Sequence, residues 1–276
     1  MAGGVFGRVI KRRMDRDPEF AAKAFSRLAA RAARERGPDA NQTLNLRQDY
    51  AVALRQSGQH EKAEAELSAI IARRELTADT GDNGLRHAKR WHSRVLLDLG
   101  RFDEAEPELR RLSEECDRIL GTDHPDSVDI HANHAAVLAE LNRFGEAEDE
   151  MAVVVAKRTA AEGPDDAATL KDRTQLAVIL DALNRHEASE VLWRELAESK
   201  ARVLGTNHPD AILARSRHAL ALYRRGRLEE SAAEYREVTA LRTAALGADH
   251  PDTKKSQAWI AVIARELEGP GLNDEN

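Results

Sequence analysis

A single cysteine, Cys116, stands among 276 residues, so the chain closes no internal disulfide and builds no thiolate metal cluster. Its 8 prolines and 16 glycines fall almost entirely at turns, as an all-helical chain requires. No apolar run approaches the ~20 residues of a membrane span. Glycine-rich phosphate loops, nucleophile–base motifs and acidic metal motifs are also missing. These absences argue against an enzyme and leave no cofactor to expect. A hydrophobic content of 42% and a charged content of 33% fit an ordinary cytoplasmic protein.

What the chain does contain is a period. Gly121-Thr122-Asp123-His124-Pro125-Asp126 recurs as Gly205-Thr206-Asn207-His208-Pro209-Asp210 and as Gly247-Ala248-Asp249-His250-Pro251-Asp252. The step is 42 residues, with a drifted copy at Gly163-Pro164-Asp165-Asp166 and a start at Gly37. A fixed period of this length means stacked supersecondary units that bury their apolar faces on one another. The unbroken register argues for one continuous solenoid rather than the two globular domains that length alone suggests.

The columns of the repeat identify the unit. Ala51, Ser93, Ala135, Ala177, Ala219 and Ala261 form a small column. Twelve residues on, Ala63, Ala105, Ala147, Ser189 and Ser231 form a second. Beside it run a large column (Leu67, Leu109, Met151, Trp193, Tyr235) and another apolar one (Ile70, Leu112, Val154, Leu196, Val238). Spacings of three and four put these on one helix face. Small columns mark where two helix backbones approach, and Gly58, Gly100, Asn142, Asn184 and Gly226 suit left-handed turns between them. Each unit is therefore helix A, a tight turn, helix B and a loop. Cys116 shares a column with Arg74, Arg158, Lys200 and Arg242, which predicts a partly exposed edge.

This pattern resembles the tetratricopeptide repeat, in its longer kinesin-light-chain type. The Gly-x-x-His-Pro-Asp loops and the turn Gly100-Arg101-Phe102-Asp103-Glu104-Ala105-Glu106 carry the likeness. It covers about residues 5–267 and implies an all-α fold, a right-handed alpha-alpha solenoid of stacked helix pairs. Residues 1–36 then form a basic capping half-repeat. Five units occupy 37–78, 79–120, 121–162, 163–204 and 205–246, together 37–246. A capping helix fills 247–268, and 269–276 is a disordered tail.

The first 36 residues carry ten Lys/Arg against four acids, a balance of +6 in a chain of −6. Ala21, Phe25 and Leu28 continue the helix-B columns, so Pro18–Ala32 reads as a capping helix B, preceded by a degenerate helix A over Val5–Arg13. Membrane contact through residues 1–16 is the lesser reading of that charge. At the other end Thr253–Glu268 is a lone helix A with a polar outer face.

The resemblance also implies that A helices line a concave groove. The groove positions that matter then include Gln48 beside the basic Arg55, His87, Arg90 and Arg94, and Thr174 and Ser216 beside the apolar Val178, Leu220 and Tyr223. Ala132, Ala136 and Ala139 lie between them. Such a surface suits an acidic–apolar peptide segment of a partner protein, with guanidinium groups holding carboxylates. The competing possibility is internal neutralisation of the arginines by Asp98, Asp129 and Glu140. A carboxylate clamp for chaperone tails is not supported, because Asn45 stands alone in its column. Nothing points to nucleic acid. His92, His134 and His218 share a packing column rather than a metal site, and the Asp, Ser or Thr after each His-Pro is expected to cap the next helix. The leading function is a protein–protein interaction scaffold. The alternative is a peptide- or small-molecule-sensing regulator, hinged at the loop Thr77–Gly84.

Overall fold

The computed structural model describes residues 10, 11, 14, 16–77 and 83–268. The expected helix Val5–Arg13 and the hinge loop Thr77–Gly84 lie largely outside those residues, and the tail Gly269–Asn276 wholly so. The described residues form twelve helices and no strand.

Packing divides the chain into two units, residues 1–141 and 142–276. The first contains α1 (Pro18–Arg36), α2 (Asn41–Gln56), α3 (His60–Thr77), α4 (Asn83–Asp98), α5 (Phe102–Leu120) and α6 (Pro125–Glu140). The second contains α7 (Phe144–Glu162), α8 (Ala167–Ala182), α9 (His186–Leu204), α10 (Pro209–Arg224), α11 (Leu228–Leu246) and α12 (Pro251–Glu268). Each unit thus begins on a helix B and ends on a helix A. Within each, consecutive helices pack on one another, and in the first α2 also touches α4 and α4 touches α6.

The turns follow from backbone chemistry. Gly58, Gly100 and Gly226 adopt φ of 76°, 71° and 73°, and Asn142 and Asn184 reach 60° and 58°. Asparagine is the L residue that enters this region at least cost. The next amide then closes the helix end: Arg101 donates to the Leu96 carbonyl at 2.9 Å, as Arg185 does to Leu180 and Arg227 to Leu222.

Both small columns are fully buried from Ala51 to Ala219 and from Ala63 to Ser231, as are Leu67, Leu109 and Met151. Trp193 and Tyr235 are nearly so. Small residues let helix A and helix B close together, and the large residue one turn away fills the remaining space. Phe25 of α1 lies in one hydrophobic cluster with Ala51, Leu54, Ala63 and Leu67, joined by Leu28. The terminal helix departs from the column: Ala261 is exposed, and Ala264 stands exposed where every earlier A helix buries a leucine.

Two expectations are corrected. The Cys116 column is not an exposed edge throughout. Cys116 is 1% exposed, Arg74 2% and Arg158 7%. At these three positions the column runs beneath the first turns of the next helix A, while Lys200 and Arg242 stay half-buried, as expected of a partly exposed edge. The Arg158 Nε donates to Asp172 at 2.6 Å, Arg74 Nη2 to Asn45 at 2.7 Å, and Arg242 Nη1 to Ser256 at 2.8 Å. Burial pushes the Cys116 thiol up to about 11, which makes it inert.

The helix caps differ too. In the His-Pro-Asp loops the imidazole itself is the cap. Nδ1 of His124 accepts from the Asp126 amide at 3.1 Å, and His208 and His250 do the same for Asp210 and Asp252. Where the motif has drifted, Asp166 takes the position and accepts from the Ala168 and Thr169 amides. Those two bonds hold its carboxyl below the usual carboxylate range. The threonines face inward instead: Thr43 donates to the Gly37 carbonyl and Thr253 to that of Gly247.

Candidate functional site

The residues expected to face a groove sit on A helices, at fixed distances from the small column. Their contacts show a recurring rung. The residue four places after the small column on one A helix meets the residue five places after it on the next. Arg55 Nε reaches Asp98 at 2.5 Å. Arg224 Nη1 reaches Asp181 at 3.3 Å, with the charges reversed. The Tyr223 hydroxyl donates to Glu266. Each pair is 43 residues apart, one period plus one.

In the first unit this rung leads to Trp91. The guanidinium carbons of Arg55, Arg90 and Arg94 lie 6.0, 5.9 and 5.1 Å from its ring centre, within cation–π range. Two of the three cations are already matched. Arg55 pairs with Asp98, and Arg90 with Asp126 at 2.7 Å and Asp129 at 3.3 Å. Glu140 takes no part. Arg94 is half-buried and pairs with no carboxylate among the described residues. Burial, then the charges of Arg55 and Arg90, lower its pKa against the pull of Asp129 and Asp98. The basic patch legible in sequence therefore contracts to one under-neutralised guanidinium lying over an indole.

Gln48 and His87 come together on a polar cleft with Asn45 and Arg74. The Gln48 Oε1 is buried there without a hydrogen-bond partner, while His87 Nε2 stands 3.7 Å from Asp126.

In the second unit the apolar positions divide. Val178 is 48% exposed and Leu220 half-buried. The next residue in their column is Val262 on α12, 39% exposed. Sequence reasoning missed Val262 because α12 was taken as a polar cap; the 42-residue step from Leu220 was the available signal. Tyr223 is not a free anchor. It packs edge-on against Trp259, with ring centres 5.1 Å apart, and Trp259 stacks on Tyr235 at 5.8 Å. Thr174 donates to its own helix at the Leu170 carbonyl, 2.6 Å away, and Ser216 is half-buried.

No helix among the described residues is long and apolar enough to cross a membrane. Models of the tetratricopeptide repeat match residues 87–156, 173–210 and 214–252. No curated protein matches by sequence. Among solved structures, BtubC (BKLC) from P. vanneervenii aligns with a TM-score of 0.68 at 15% identity, over 88% of this chain and 94% of that one. The nearly identical TPR-like repeats of a kinesin light chain from Podosopora anserina align at 0.65 and 19%, over 73% and 95%. A tetratricopeptide repeat protein from Parabacteroides merdae aligns at 0.56 and 13%, over 97% and 92%. At these identities the likeness is one of fold, an all-α repeat solenoid. With its buried small columns and matching repeat models, the chain belongs to the tetratricopeptide repeat family, whose repeats mediate protein–protein interactions.

Proposed function

We propose that this protein is a non-catalytic scaffold that binds a peptide segment of a partner protein on its A-helix faces. The first unit offers Arg94 to an acidic side chain, and the second, as a face of its own, offers Val178, Leu220 and Val262 to apolar ones. Arg94 carries the proposal. A half-buried guanidinium flanked by two like charges gains most from an incoming carboxylate, which satisfies its donors in a planar fork. Its contact with the Trp91 ring already restrains it, so less side-chain freedom is lost on binding. The apolar column of the second unit is periodic and exposed, as a row of pockets for alternate side chains would be.

Panning a random peptide display library on the whole chain tests this. Acidic residues should be enriched together with apolar ones. Arg94→Glu should weaken the selected peptides about tenfold or more, ~1.4 kcal/mol or more, and flatten their salt dependence. Leu220→Asp should weaken them with little change in salt response. Enrichment of basic peptides, or binding indifferent to both variants, would falsify the proposal.

A further inference from the structure

The first 36 residues are the net-positive stretch of an acidic chain, and the structure shows how their charge is arranged. Helix α1 buries Ala21, Ala22, Phe25, Ala29 and Ala32 on one face. Lys23, Arg27, Arg31 and Arg34 follow at spacings of four, four and three on the opposite face, which sets them in a single row. The row is about 16 Å long at 1.5 Å per residue. Arg31 bonds Glu35 at 2.6 Å. Lys23, Arg27 and Arg34 are exposed and have no ion-pair partner among the described residues. Phe20, at the start of the row, is 43% exposed.

The repeat does not require such a row. The equivalent positions are Asp149, Val153, Lys157 and Ala160 on α7, and Ala233, Glu237, Leu241 and Ala244 on α11. A merely solvated face would intersperse acids for pairs one turn apart; here Glu19 and Glu35 flank the two ends and no acid lies between Lys23 and Arg34.

We propose that the outer row of α1 is a second docking surface, for an acidic helical segment of a partner protein whose carboxylates recur one turn apart. Three observations select this occupant. Cations one helical turn apart, about 6 Å along the axis, match carboxylates spaced the same way on a second helix. Three of the four cations are arginines, which pair with carboxylates in a fork. Ser26 and Ala30 keep the face low between the charges, so a second helix approaches closely. A membrane surface fits less well, because the apolar face of α1 is already buried and leaves Phe20 alone to insert. A nucleic acid would meet net repulsion from the rest of the chain, which carries −12 once the +6 of the first 36 residues is removed from −6.

The experiment uses the full chain and, as probe, a fluorescein-labelled alanine-rich peptide of about 15 residues with glutamates one turn apart, roughly the length needed for a marginal helix, read by anisotropy. Arg27→Glu/Arg34→Glu should weaken the probe about tenfold or more while leaving the melting temperature in place, because both side chains are exposed. Arg27→Lys/Arg34→Lys keeps the charge and loses the fork, and should still weaken it several-fold. Arg236→Glu reverses an exposed cation outside both surfaces and should leave the affinity within about twofold, while adding Arg94→Glu to the α1 variant reads what binding remains at the A-helix site; the α1 surface and the A-helix site thus stand or fall separately. An unchanged affinity in the α1 charge-reversal variant overturns the proposal. So does tighter row-dependent binding of a single-stranded oligonucleotide or of phosphatidylserine vesicles than of the peptide.

Discussion

Trp91 and Trp259 occupy the same position of the repeat, four periods apart, one in each unit. Around Trp91 stand Arg55, Arg94 and Asp98. The matching residues around Trp259 are Tyr223, Val262 and Glu266. The contacts correspond although the chemistry does not. Arg55 forms an ion pair with Asp98, and Tyr223 donates its hydroxyl to Glu266. One indole lies among guanidiniums, the other between two phenol rings. The repeat fixes which positions meet, while the side chains decide whether the meeting place is open to a ligand. At Trp91 a cation is left over; at Trp259 the rings satisfy one another.

The third tryptophan sharpens the contrast, because it is enclosed. Trp193 fills the large column of α9 and donates to Asp181 at 3.0 Å. Trp193→Ala should cost ~3–5 kcal/mol of stability in denaturant titration, as truncation of a buried aromatic does. Ala135→Leu, in the fully buried small column, should cost ~1–3 kcal/mol by overpacking. Near-neutral behaviour of both would mean that the columns do not carry the fold.

Trp259→Ala should come next, at about 2 kcal/mol, since two aromatic contacts worth ~0.5–1.5 kcal/mol each are lost from a half-buried site. Trp91→Ala should cost about 1 kcal/mol, because two of the three arginines over its ring keep their carboxylate partners when the ring is lost. If Trp91 proves the costlier of the two, its arginine cluster is part of the core rather than a recognition surface.

The fold was legible because packing is periodic: Leu67, Leu109, Met151, Trp193 and Tyr235 vary in chemistry yet all answer to one buried volume. The site was legible only in part. Arg55, Arg90 and Arg94 are visible as a basic cluster in the sequence. Their neutralisation depends on residues 36 to 43 places away, on the next A helix. The pairing of Arg55 with Asp98 and of Asp181 with Arg224 was open to sequence inspection as opposite charges one period plus one apart. The histidine caps were hidden for another reason. Imidazole is not an ordinary capping group, and proline next to it draws attention to φ rather than to Nδ1.

The smallest effect is one of pH. His92 and His218 are equivalent, three periods apart. His92 is held between acids from both neighbouring B helices: Nδ1 meets Glu108 at 2.8 Å, while Nε2 lies 3.1 Å from Ser68 Oγ and 3.6 Å from Glu64. Arg101 approaches Glu64 at 3.5 Å from the far side. Burial disfavours the imidazolium, but the Glu108 hydrogen bond and charge, with Glu64 behind them, outweigh it and raise the pKa above the usual imidazole value. A raised folded-state value stabilises the fold fully below the unfolded-state pKa, and that contribution fades as pH rises through the folded-state value. Denaturant titrations of the whole chain across that window should show the loss, and His92→Gln should remove it. His218 meets Glu190 at 3.3 Å, whose other oxygen is taken by Arg225 at 2.6 Å and Arg227 at 3.3 Å. A pH response that survives His92→Gln would show that the two acids around His92 do not set it.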